Sequence, residues 1–182
     1  MENEENLVLT DEAIMDRIFG LGVDSINRAE QLLSILNGTS DEKTFWRAVN
    51  IGYGCCDAMS PETQTWLGLN LERMSCDFVP YLDEADQIWW SSVKPNPQLV
   101  VYRGCERDRI ESLSWTICPK VAAEFARGHR GISLKDPVIA KMMVTSDDIL
   151  FATNGREEQE VFISFSVGEY ELSYEVTDYV EP

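Results

Sequence analysis

The sequence predicts an α+β fold in one domain, with a helical half over residues 8–93 and a β-rich half over 98–182. Two observations carry this. Apolar residues recur three and four apart as far as Trp90; past Lys94-Pro95-Asn96-Pro97 they alternate with polar ones, the change of period that separates amphipathic helix from half-buried strand. And 182 residues at 44% hydrophobic content, with five Trp, seven Phe and six Tyr, suffice for a packed core despite a formal charge of −17.

The helices follow in order. Thr10 caps a first segment with Asp11 and Glu12 in its opening turn, and Ile14, Met15, Ile18 and Phe19 recur until Gly20 and Gly22. Asp24 or Ser25 opens a second, with Ala29, Leu32, Leu33 and Leu36 on one face and Gly38 as its stop. Ser40, Asp41 and Glu42 start a third through Phe45, Trp46, Val49 and Ile51. Ser60-Pro61 is a cap followed by proline at the first helical position, leading Trp66, Leu67, Leu69 and Leu71. A last segment spans Leu82–Trp90, where Trp89-Trp90 is either a lid or a packing anchor.

In the second half, Leu99–Gly104, Ser112–Cys118 and Glu158–Val167 alternate as strands. Arg103 shares a face with Leu99 and Val101. Ser112, Ser114 and Thr116 line one face of the second strand and Leu113, Trp115 and Ile117 the other. Glu158 and Glu160 oppose Val161, Ile163, Phe165 and Val167. Cys118-Pro119 opens a short helix with Val121, Ala122 and Phe125 inside and Gly128 at its end. Val138–Val144, an apolar run, reads as another strand; Asp147-Asp148 and then Asn154-Gly155-Arg156 are turn-rich, so the stretch before Glu158 reads as a mobile loop. Tyr170–Val180 alternates loosely and is expected to close the sheet.

Charge and cysteine usage bound the function. An acidic chain is repelled by nucleic acid and by anionic membrane. Between Val101 and Lys141, however, eight Lys and Arg face five Asp and Glu, a net of +3, while the rest of the chain carries −20. That basic island suits a phosphate-bearing ligand. Five Cys in no framework spacing and a single His, His129, disfavour a zinc site and a disulfide scaffold. The acidic Met1–Leu7 lacks a secretory layout, and no apolar run approaches the roughly 20 residues that span a bilayer. A cytoplasmic protein is expected, with delivery into another cell left open.

Folded together, the three strands bring a guanidinium, two hydroxyls and a pair of carboxylates to one cleft. The segments Val101-Tyr102-Arg103-Gly104, Ser114-Trp115-Thr116 with Pro119-Lys120-Val121-Ala122-Ala123-Glu124-Phe125-Ala126, and Glu158-Gln159-Glu160-Val161 resemble the Arg/Ser/Glu class of mono-ADP-ribosyltransferases. That class includes bacterial toxins, bacteriophage enzymes and vertebrate ecto-enzymes. The likeness covers about 70 of the 182 residues and rests on all three motifs standing in order. It implies N-terminal helices packed on a split, mixed or antiparallel sheet. It also implies transfer of ADP-ribose from NAD, as substrate and without a metal, to a macromolecular acceptor.

By the same resemblance Glu160 is the catalytic carboxylate, Ser114 orients it, and Glu158 engages the acceptor from two residues earlier on the same face. Arg103 holds the NAD phosphate or ribose, Gly104 admits the nicotinamide amide, and Tyr102, Thr116 and Phe125 complete the NAD site. A Glu at position 158 goes with arginine acceptors in this class. A neutralising antitoxin or immunity protein is a conceivable partner. The chain departs from the class in the short spacing between Arg103 and Ser114 and in the bulk of Trp115. Arg103 on the first strand disfavours the diphtheria-toxin-like branch, which carries a His there. The alternatives are an RNA or DNA base as acceptor, hydrolysis of NAD alone, or a non-enzymatic acidic inhibitor that mimics nucleic acid.

Overall fold

The computed structural model describes residues 6–24, 27–56, 59–74, 77–128, 133–163 and 173–180. Ser25, His129, Phe165, Val167 and Tyr170, named above, lie outside the described residues. The fold is α+β, and the chain divides into two compact units, Met1–Gln87 and Ile88–Pro182. No helix among the described residues is long and apolar enough to cross a membrane.

The first unit is built from α1 (Asp11–Phe19), α2 (Arg28–Gly38), α3 (Glu42–Gly52) and α4 (Pro61–Arg73). Local chemistry sets their starts. The side chains of Thr10, Asp41 and Ser60 each accept from the backbone N–H three residues on, satisfying donors that the helix itself leaves unpaired. The start of α2 is one turn later than the sequence suggests. Asp24 and Asn27 exchange backbone-to-side-chain hydrogen bonds of 2.9 and 3.1 Å, so the chain makes a turn there before α2 begins. Ile14 and Ile18, Leu32, Ile35 and Leu36, Phe45, Trp46 and Val49, and Leu67 and Leu71 form the buried faces of these four helices. The Arg47 guanidinium ties α1 to the segment after α4, pairing with Asp11 at 2.9 Å and Asp83 at 2.8 Å.

Helix α5 (Glu84–Val93) leads into the second unit. Trp90 is fully buried, a packing anchor and not a lid. Among the described residues six strands follow: β1 (Leu99–Glu106), β2 (Ser114–Thr116), β3 (Pro137–Val144), β4 (Ile149–Thr153), β5 (Glu160–Ile163) and β6 (Tyr174–Asp178), with α6 (Pro119–Gly128) between β2 and β3. They form one sheet in the order β4-β5-β2-β1-β3-β6, and every pair is antiparallel. Where a split sheet is expected, the strands are connected throughout, but β1 and β2 share only the pair Tyr102↔Thr116. The sheet is narrowest there.

Three expectations need correction. The segment Ile149–Thr153 is a strand, not part of a loop; Ile149, Phe151 and Ala152 are buried, and a bulge between Ile149 and Phe151 breaks the alternation that would have revealed it. The second strand is shorter than Ser112–Cys118, because the Thr116 hydroxyl takes the Cys118 N–H at 3.0 Å and Pro119 then begins α6. The last segment does not close the sheet: β6 is an edge strand with mostly exposed side chains, paired with β3.

Helix α6 lies directly on β1. A Cβ on Gly104 would sit 1.8 Å from the Ala122 carbonyl oxygen and 2.6 Å from the Ala126 nitrogen, so only glycine permits this approach. The helix then ends at Gly128, which takes a φ of +100°. Gly104→Ala must push a helix backbone aside, an overpacking cost of at least roughly 1–3 kcal/mol. Thermal unfolding should show a loss of roughly 5 °C or more; an unchanged melting temperature would mean that α6 does not approach β1 this closely.

Candidate active site

The site forms where β5, β2 and β1 meet. Register sets one row of side chains on one face, Thr153 on β4, Glu160 on β5, Thr116 on β2 and Tyr102 on β1. Ser114 and Phe162 pair on the same face one step along. The Ser114 hydroxyl therefore reaches Glu160 diagonally across β2 and β5 and donates to its Oε1. Glu160 and Ser114, two of the expected catalytic residues, are in contact.

Glu160 is only 8% exposed. On the same face the polar row is bordered by Phe162 and Phe151, both buried, with ring centroids 5.2 Å apart. Burial pushes the carboxyl up to about 7, against the Ser114 hydrogen bond that favours the ionised form; the Glu158 charge adds to the rise, and Arg156 and Arg103 oppose it. Glu160 thus changes charge near neutral pH.

Arg103 reaches the site by an indirect route. It alternates with Tyr102 along β1 and so starts on the opposite face, opposite Ala140 of β3. Its guanidinium spans the place where β1 and β2 part, donating from Nη1 to the Ser114 carbonyl and from Nε to the Arg109 carbonyl at 3.1 Å. The short spacing between Arg103 and Ser114 is closed by this clamp. Arg103, Ser114 and Glu160 are consequently linked in one chain of contacts.

The other expected residues divide. Thr116 is buried opposite Glu160, and its hydroxyl donates to the Glu158 carbonyl at 2.6 Å, so it holds the turn before β5 in place. Tyr102 is half-buried in the same row, and Phe125 is half-buried on α6, whose innermost residues are Ala122 and Ala126. Gly104 is occupied on its Cβ side by α6, so helix packing accounts for the glycine, and a nicotinamide approach from that side is blocked.

Glu158 is not on the strand. Arg156 and Glu157 have φ of 61° and Gln159 of 50°, three residues in the left-handed region with side chains attached, and β5 begins only at Glu160. The same-face spacing expected of Glu158 and Glu160 is replaced by a tight turn. The turn is held to β2 by the Thr116 hydroxyl and by the Ile117 N–H, which donates to the Gln159 carbonyl at 3.1 Å. Within it, Arg156 Nη2 pairs with Glu158 Oε2 at 2.9 Å. Arg156 is a site residue that sequence reasoning missed; an Arg two positions before Glu158 in a turn was the available signal.

No family model, curated protein or solved structure matches the chain.

The raised Glu160 carboxyl has a consequence for stability. Its folded-state value lies above the unfolded one, so its contribution is full below the ordinary carboxylate range and is lost as pH rises through about 7. Glu160→Gln keeps the shape and removes the charge. The melting temperature of the variant relative to wild type should therefore be several degrees higher at pH 8 than at pH 4, by parallel calorimetric scans; equal differences at both pH values would mean that Glu160 titrates normally.

Proposed function

We propose that the protein is an NAD-dependent mono-ADP-ribosyltransferase whose acceptor is a protein arginine. The observation that carries the proposal is the buried Glu160 carboxyl under the Ser114 hydroxyl, beside a guanidinium clamped across the sheet junction. Breaking the nicotinamide–ribose bond sends its electron pair to the pyridinium nitrogen, which leaves as neutral nicotinamide, and builds positive charge on the ribose. The leaving group is cationic at the start, so no general acid is required. One ionised carboxylate near the sugar suffices to steady the charge, and a site sheltered from water makes that effect larger. The acceptor nitrogen then bonds to the ribose carbon and gives up a proton.

Each residue has a stated part. Glu160 steadies the sugar cation. Ser114 is a positioning residue that orients Glu160. Arg103 supplies a fixed positive fork suited to phosphate or ribose oxygens. Thr116 positions the turn that carries Glu158, the docking carboxylate for an acceptor guanidinium. A basic island in an acidic chain supports a phosphate-bearing substrate.

Incubation with labelled NAD and cell lysate tests the proposal, with RNase and protease digestion assigning the acceptor. Labelled protein is the expected result; label confined to nucleic acid would move the acceptor class, and no label or nicotinamide release would end the proposal. Glu160→Gln should lower both transfer and NAD hydrolysis by at least about a hundredfold, with the circular dichroism spectrum unchanged. Glu158→Ala should reduce transfer much more than hydrolysis, and equal losses would contradict its docking role. Because the ionised carboxylate is the working form, kcat/KM for NAD hydrolysis should rise with pH to a plateau, with a midpoint near 7; a flat profile between pH 5 and 9 would contradict the assignment.

A further inference from the structure

The turn before β5 contains a guanidinium already seated on the carboxylate to which an acceptor would dock. Arg156 Nη2 holds Glu158 Oε2 at 2.9 Å, with the Arg156 side chain 42% exposed and that of Glu158 15%. The carboxylate is the sheltered partner and the guanidinium the outward one. Anchorage follows the same division. The Glu158 carbonyl is bonded to Thr116 of β2 and the Gln159 carbonyl to Ile117 just past it, whereas Arg156 belongs to the more exposed part of the turn and holds a φ of 61°, strained for a residue with a side chain.

We propose that Arg156 is an internal competitor that sets acceptor specificity: an incoming group becomes the acceptor only by taking Glu158 away from it. The inference rests on the transferase reading of the site. Its chemistry follows from the contact. Arg156 meets Glu158 through a single nitrogen–oxygen bond, and a guanidinium that docks with two parallel N–H groups can displace it. A lysine ammonium or an asparagine amide offers no such fork and competes poorly. The residue therefore narrows the acceptor class to guanidinium groups free to approach along the turn.

The test uses the full chain, NAD and the small guanidine agmatine, with benzylamine as an amine acceptor. Assays run at pH 9, because removing Arg156 takes away a charge that favours ionised Glu160. Arg156→Ala and Arg156→Gly, the second suited to the positive φ, are compared with wild type and with Arg156→Lys. Agmatine KM should fall about fivefold to tenfold in both truncations, with a smaller fall in Arg156→Lys. The KM for NAD serves as the internal reference and should not follow it. The preference for agmatine over benzylamine should shrink in the same order. An agmatine KM that is unchanged or raised in both truncations, in a protein that cleaves NAD, overturns this inference alone. A wild-type protein that cleaves no NAD overturns the transferase reading along with it.

Discussion

A carboxyl group buried in the sheet face is costly to fold around, and the Ser114 hydroxyl on Glu160 is the contact that makes it tolerable. The hydrogen bond fixes which way the carboxyl points, while burial holds its affinity for a proton near neutrality. It also depends on register. Ser114 meets Glu160 only because β2 and β5 pair with Thr116 opposite Glu160; a slip of one residue would turn Glu160 to the other face of the sheet.

The surrounding structure holds that register at a place where the sheet is weak. β1 and β2 share a single pair, and beyond it the Arg103 side chain takes over from the backbone by binding two carbonyls. A guanidinium fixed in this way has few conformations left to lose, which under the proposed reading would favour a bound anion. On the face of β1 opposite the one from which Arg103 starts, α6 reaches the sheet across Gly104 and stands beside the row that carries Tyr102 and Thr116. The turn from Arg156 to Gln159 completes the setting. Its left-handed residues have no glycine to ease them and persist because β2 holds them.

Much of this was legible in the residues, for identifiable reasons. Thr10 and Ser60-Pro61 announce helix starts because a cap is a local bond between a side chain and the backbone three residues on. Val138–Val144 announces itself as a short apolar run, and the structure resolves it into alternation, with Val138, Ala140, Met142 and Val144 buried and Lys141 and Met143 exposed. Alternation put Ser114 and Glu160 on polar strand faces, and the expectation that one orients the other came from the resemblance to the transferase class. What was illegible came from tertiary context. β4 is buried through a bulge, so its period is not two. Glu158 and Glu160 look like neighbours on a strand face, yet nothing local signals that Arg156, Glu157 and Gln159 turn left-handed without a glycine. Arg156 and Glu158 stand two positions apart, a spacing that shares a face in an extended strand but not in a helix, and here the pair forms within the turn instead.

Glu160 is a sheltered carboxyl that changes charge near neutral pH under the control of its surroundings. Carbon-detected NMR titration of the Glu160 side-chain carboxyl, assigned by its loss in Glu160→Gln, reads this directly without any substrate. A midpoint near 7 that falls toward the ordinary range when Phe162 is replaced by a smaller polar residue is the result that this account requires. A wild-type midpoint near 4.5, the ordinary value for a glutamate, would contradict it.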